Sequence, residues 1–231
     1  MRGIPITGSD RRAARELASR SPRRLALLEQ IGITDVRLLL DEDEARAEAL
    51  EAVRPKESPT QYVERVARAK GEAAWARLMA LRGTAGQAGT TDAWPLAPLL
   101  AADTTVAVGG KIRGKPEDAD DAARILGLLS GRSHRVLSSV VVIGPSGKLR
   151  QCTQVSRVRF RRLTDDDIAG YIASGEPFGK AGAYGIQGLA ACFVRRIEGS
   201  YSGIMGLPLF ETAQLLGKVG VPPVRVDGSR A

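Results

Sequence analysis

The chain has 231 residues, of which 43% are hydrophobic and 26% charged, with 34 Lys and Arg against 26 Asp and Glu. Those proportions exclude a disordered polyelectrolyte and a fibrous repeat, and no apolar run approaches the roughly 18 to 20 residues needed to cross a bilayer. The net charge of +8 calls for an anionic partner.

The first 24 residues hold seven arginines against Asp10 and Glu16 and so carry five of the eight net charges. They lack the apolar stretch of a secretory signal. Only 4% of residues are aromatic and they do not alternate with the arginines, so the stacking platform of a single-strand binder is not expected. A focused phosphate site fits the charge better than nucleic acid. Two cysteines, Cys152 and Cys192, make neither a disulfide framework nor a zinc site and suit a reducing cytoplasm.

Ser21-Pro22-Arg23-Arg24 predicts a helix start, with Ser21 as N-cap, Pro22 in the first position and Gly32 closing the helix. Its unpaired N–H groups, with nearby serine hydroxyls and two guanidinium groups, form an anion site. The acidic run Asp41-Glu42-Asp43-Glu44, continued by Glu48 and Glu51, reads as a solvated face that contains a candidate metal ligand. A second helix runs from Pro59 to about Ala74, with Val63, Val66, Ala67 and Lys70 on one stripe. Lys70 therefore either snorkels at the edge of that stripe or reaches into a cleft.

The Gly- and Thr-rich stretch 82–92 reads as a surface loop, and the residues after Pro98 as a buried strand through Val108. Asp103 interrupts that strand. A carboxylate in such a place is costly unless paired, hydrogen-bonded or metal-bound, so it is a structural cap or a functional group. Asp118–Ser130 reads as a helix closed by Gly131, Val136–Ile143 as a buried strand and Val155–Phe160 as a half-exposed one. Thr164 and Asp167 make a capping box for a helix ending near Gly175. Ala190–Ile197 reads as a strand with Cys192 in the core, and Pro208–Leu216 as a final helix. This alternation predicts an α/β fold with a partly parallel sheet.

The motifs LASRSPRR (17–24), ESPTQYVERVARAKGEA (57–73), ADTTVAV (102–108), the stretch opened by GKPEDADD (114–121), GKAGAYGIQG (179–188) and GLPLFETAQLL (206–216) together resemble the Maf family of nucleoside triphosphate pyrophosphatases. The resemblance implies an inosine-triphosphatase-like elongated fold, a mixed twisted sheet flanked by helices with a deep cleft. It divides the chain into a basic extension (1–16), the nucleotide pyrophosphatase domain (17–216) and a tail (217–231).

It further implies hydrolysis of a nucleoside triphosphate to the monophosphate and pyrophosphate with a divalent metal, Mg or Mn. Asp103 matches the proposed catalytic aspartate, acting as base or metal ligand, and Ser19, Arg23, Arg24, Lys70 and Lys115 match substrate-binding positions. Arg24, Thr104 and Gln187 match the specificity positions of the branch acting on dTTP and UTP rather than 7-methyl-GTP. A glutamine amide offers both a donor and an acceptor to the O4/N3–H edge of such a base. Glu44, with Glu42 as alternative, is the best match for the metal-site glutamate. Gly182, Gly185 and Gly188 would let the backbone approach the base or sugar. Tyr184, Tyr201 and Leu207 match family positions read as cleft walls and packing. His134, the sole histidine, is expected to make a structural hydrogen bond. Homodimers and a link to restraint of cell division also belong to the family. A regulator of septation that binds without catalysis is the alternative in a different functional class.

Overall fold

The computed structural model describes residues 15–19, 21–40, 43–87 and 97–221. Most of the basic extension and of the C-terminal tail, together with Arg20 and Glu42, lies outside them. Within them, seven strands form one mixed sheet: β1 (Arg15–Leu17), β2 (Val36–Leu38), β3 (Leu99–Val108), β4 (Lys111–Arg113), β5 (Ser133–Ile143), β6 (Leu149–Phe160) and β7 (Val194–Glu198). The order is β2-β1-β3-β5-β6-β7, with β4 also on β3. β1 pairs in parallel with β2 and β3, and every other pairing is antiparallel.

Side chains alternate across β3 and pack on both faces of the sheet, as the period of a strand requires. Leu99 and Ala101 meet the long helix α3 (Pro59–Gln87) through Ala67, Ala74 and Leu78. Leu100 and Ala102 meet α1 (Pro22–Gln30) and α7 (Leu209–Gly217) through Leu27, Leu28, Leu215 and Leu216. Beyond them α4 (Ala119–Leu129) and α5 (Asp165–Ala173) cover Val106, Val136, Val158 and Phe160. Each fully buried leucine or valine contributes about 1.5 to 3 kcal/mol, so these layers carry most of the stability. Two short helices complete the set, α2 (Glu44–Leu50) and α6 (Tyr201–Met205).

Several sequence expectations are corrected. α3 continues to Gln87, through the first half of the expected loop, because extending an existing helix adds one hydrogen bond per residue without a new nucleus. β6 starts six residues before Val155, since its polar first half is held by pairing with β5 rather than by burial. The expected strand 190–197 begins instead as a 3-10 turn, Leu189–Phe193, which places Cys192 at the surface. The capping box of Thr164 and Asp167 is present as read. No helix among the described residues is long and apolar enough to cross a membrane.

One feature of the sheet makes room for a site. β1 pairs with β3 only at Leu99 and Leu100, and β4 only from Val106 onward. Between them, the outer edge of residues 101–105 has no strand partner among the described residues. A cleft opens at that notch, where side chains from both faces of β3 reach the same space.

Candidate active site

The cleft has a volume of about 500 Å³ and is lined by six cationic side chains, Arg23, Arg24, Lys70, Arg77, Lys115 and Lys180, against three carboxylates, Glu48, Glu51 and Asp103. Such an excess in a confined space attracts a polyanion of small size.

The floor is Asp103, 6% exposed in the middle of β3. Lys70 of α3 answers it, with Nζ 2.7 Å from Asp103 Oδ1 and 2.7 Å from Glu51 Oε1. Lys70 thus reaches into the cleft rather than snorkelling away. The next residue, Gly71, explains the reach: a Cβ there would stand 3.0 Å from Val141 Cγ1. Its absence lets α3 settle onto the sheet. Lys115, just after β4, donates to Glu51 Oε2 at 2.9 Å. Burial alone would raise the Glu51 pKa, but the charges and hydrogen bonds of Lys70 and Lys115 bring it down to about 2.

In the sequence, Glu51 is marked only as part of the acidic run, without a role of its own. Glu44 is the first residue of α2 and Glu42 lies outside the described residues, whereas Glu51 follows α2 and turns its carboxylate onto Lys70. The Glu44 side chain, like Glu42, lies outside what the structure describes, and among the described residues Glu51 is the glutamate that pairs with Lys70 and Lys115 in the cleft. Tyr62 Oη donates to the Glu51 carbonyl and Arg65 Nη1 to that of Leu50, and Arg65 pairs with Glu57 at 2.6 Å. Those contacts tie this segment to the first turns of α3.

The opposite wall is the start of α1. Pro22 occupies the first turn as read, but the Ser21 side chain does not cap it; instead Ser21 N donates to Ser19 Oγ at 3.2 Å. Arg24 is committed to the protein: Nε donates to the Gly206 carbonyl at 2.9 Å, Nη1 to Ser19 Oγ at 3.0 Å and Nη2 to Thr104 Oγ1 at 3.4 Å. Thr104 in turn shares a 2.8 Å hydrogen bond with Ser138 Oγ. Arg24 thereby stitches the helix start to β3 and to the end of α6. Burial lowers the pKa of both arginines, with Asp103 opposing the effect at Arg24. Arg23 makes one long bond, to the Met205 carbonyl at 3.4 Å.

Lys180, Tyr184 and Gln187 also line the cleft. Lys180 is a further cleft cation beyond those the motifs picked out; its ammonium donates to the Glu176 carbonyl, and burial lowers its pKa. The three glycines of this loop serve close contacts inside the protein. Gly182 has φ of +73° and a Cβ there would lie 2.7 Å from Val106 Cγ2, while one at Gly188 would strike the Glu176 carboxylate at 2.3 Å. Behind the loop, His134 is 2% exposed and bonds Tyr184 Oη at 2.8 Å, and burial lowers its pKa to about 4. Leu207 is fully buried in the core. Tyr201 is 48% exposed and stands outside the residues that line the cleft.

With this geometry in place, the similarity to known proteins is informative. A dTTP/UTP pyrophosphatase of Ralstonia nicotianae is 58% identical over 205 residues, 89% of this chain and 93% of that one. One from Cupriavidus metallidurans is 56% identical over 205 residues, covering 89% and 96%. Among solved structures, a HAM1 protein from Coxiella burnetii is 14% identical, with a TM-score of 0.42 over 88% of this chain and 98% of that one. The family described as Maf-like protein matches residues 16–219, from the buried Glu16 of β1 to just past α7. The cleft and the sheet that frames it fall inside that span, and the chain belongs to the Maf-like protein family.

Proposed function

We propose that this chain hydrolyses dTTP and UTP to the nucleoside monophosphate and pyrophosphate. The observation that carries the reading is the buried carboxylate of Asp103, held by Lys70 in a cleft dominated by cations. The names of relatives at 56 to 58% identity supply the substrate class. A cleft of about 500 Å³ suits one nucleotide.

In this reading water attacks the α-phosphorus, the bond from that phosphorus to the α–β bridging oxygen breaks, and Asp103 orients the water and accepts its proton. Asp103 has one oxygen on Lys70, and no protein hydrogen bond to the other is found among the described residues. Lys70 and Lys115 neutralise charge on the departing pyrophosphate, as preorganised cations do in phosphoryl transfer. Arg23 meets the phosphates from the α1 side, and Arg24 and Ser19 keep that helix start in place. Gln187, exposed at the cleft, reads the base edge.

The donor set also fits a divalent cation of the Mg or Mn type. Asp103 and Glu51 both bond the Lys70 ammonium and so converge, and hard cations accept one or two carboxylates when phosphate oxygens and water complete the shell. No cluster of three or more His, Cys, Asp or Glu suited to a metal occurs among the described residues. Asp103 and Glu51 would hold the ion, whose chemistry is charge neutralisation on the phosphates.

The test is pyrophosphate release from a panel of nucleotides with Mg²⁺ or Mn²⁺. Turnover of dTTP and UTP that Asp103→Ala abolishes is expected. Intact dTTP and UTP would overturn the reading, and preference for 7-methyl-GTP would overturn its substrate assignment.

A further inference from the structure

Gln187 is exposed at the cleft, and its amide has no hydrogen-bond partner among the described residues. Its position is therefore set by the backbone on either side. Tyr171 Oη accepts from Gly185 N at 3.1 Å and donates to Glu176 Oε1 at 2.8 Å. Glu176 Oε2 accepts from Leu189 N at 2.9 Å. The two ends of the segment 185–189 are thus gripped through one carboxylate and one phenol, and Gly188 N closes the turn on the Gly185 carbonyl at 3.1 Å.

The grip is itself anchored. Tyr171 is 3% exposed, and its ring meets Phe193 edge-on at 5.2 Å, which fixes where the hydroxyl sits. Glu176 takes the place of a cap at the 3-10 turn Leu189–Phe193, whose N-cap residue Gly188 has no side chain to accept from the first N–H. Gly188 in turn has room for Glu176 only because it lacks a Cβ, which would stand 2.3 Å from both carboxylate oxygens. Tyr171, Glu176 and Phe193 are not among the residues that line the cleft.

We propose that Tyr171 and Glu176 are positioning residues for base selection: together they hold the Gln187 segment at the distance from which its amide reads the pyrimidine edge. The proposal rests on the reading of the cleft as a dTTP/UTP site. It separates two ends of the substrate, because loosening this segment displaces the base contact and leaves Asp103, Lys70 and Lys115, which are held by one another and by Glu51, where they are. The loss therefore falls on KM and on discrimination rather than on kcat.

Steady-state kinetics of Tyr171→Phe, Glu176→Ala and Glu176→Gln with dTTP, UTP and CTP, alongside amide hydrogen exchange at Gly185 and Leu189, test it. Tyr171→Phe keeps the ring packing and removes only the hydroxyl, so folding is preserved. Tyr171→Phe and Glu176→Ala are expected to raise KM for UTP about tenfold, the size of one or two lost hydrogen bonds, with kcat within about twofold. The preference for UTP over CTP should fall by a similar factor, and the two amides should exchange faster. Glu176→Gln, whose amide oxygen still accepts, should recover most of the preference. Wild-type KM and preference in folded Tyr171→Phe and Glu176→Ala, or a fall in kcat alone, would overturn the positioning role. A wild-type protein that turns over neither dTTP nor UTP would overturn the site reading beneath it.

Discussion

Lys70 bonds Asp103 at 2.7 Å from a different element of the fold, helix against strand, and the two residues are 33 positions apart in the chain. The pair solves two problems at once. Asp103, with 9% of its side chain exposed, needs a cationic partner to offset the cost of burying a carboxylate in β3, and in the proposed reaction the group that orients the water must be kept out of bulk solvent.

Removing either partner should therefore separate chemistry from stability. Asp103→Asn keeps the shape and a hydrogen-bond acceptor, so it is expected to fold while losing at least about a hundredfold in kcat. Lys70→Met leaves a buried carboxylate without its cation and should cost about 3 kcal/mol as well as activity. Urea unfolding beside initial rates distinguishes the two.

Arg24 cannot be replaced by lysine without loss. Its fork reaches Gly206, Ser19 and Thr104 together, and one ammonium cannot satisfy that geometry. Arg24→Lys should lower kcat/KM by about a hundredfold and reduce Tm by a few degrees. Thermal melts and substrate titrations read both effects.

His134 gives the fold a pH dependence with a definite sign. Its pKa falls to about 4 because burial disfavours the imidazolium. Between its ordinary value of 6.5 and about 4, the unfolded chain binds a proton that the folded chain does not. Stability should thus fall as pH drops through that window and level off below it, by at most about 3 kcal/mol. Denaturant melts from pH 7 to 4 should show this slope, and His134→Phe should abolish it.

Gly188 and Glu176 should behave as one unit. Gly188→Ala places a Cβ where the carboxylate stands, so it is expected to reproduce the KM defect of Glu176→Ala. The double variant should be no worse than either single one, a coupling readable in a double-mutant cycle.

Cys192 is exposed and Cys152 only partly so. A thiol reagent should modify Cys192 first and leave activity intact, since Cys192 is not among the cleft-lining residues. Mass spectrometry at partial labelling orders the two sites.

Elements with strong local signals were legible in the sequence. Pro22 at the start of α1, the stripe Val63, Val66 and Ala67 on α3, and the Thr164–Asp167 box each follow from periodicity or capping within a few residues. So did the anomaly of Asp103 in an apolar strand, because a buried carboxylate demands a partner wherever the chain supplies one. The sequence by itself determined these elements and the α/β class, and its net charge of +8 raised the expectation of an anionic ligand.

What only the tertiary structure decided depends on distant contacts. The first half of β6 is polar and exists because β5 offers it hydrogen bonds. Cys192 turns outward because Glu176 and Gly188 start a 3-10 turn where apolar composition suggested a strand. In the acidic stretch, Glu51 meets Lys70 because Tyr62 and Arg65 anchor the backbone around it. Charge density along the chain located none of this: a carboxylate acts where packing presents it to a cation, and packing joins residues that no local pattern connects.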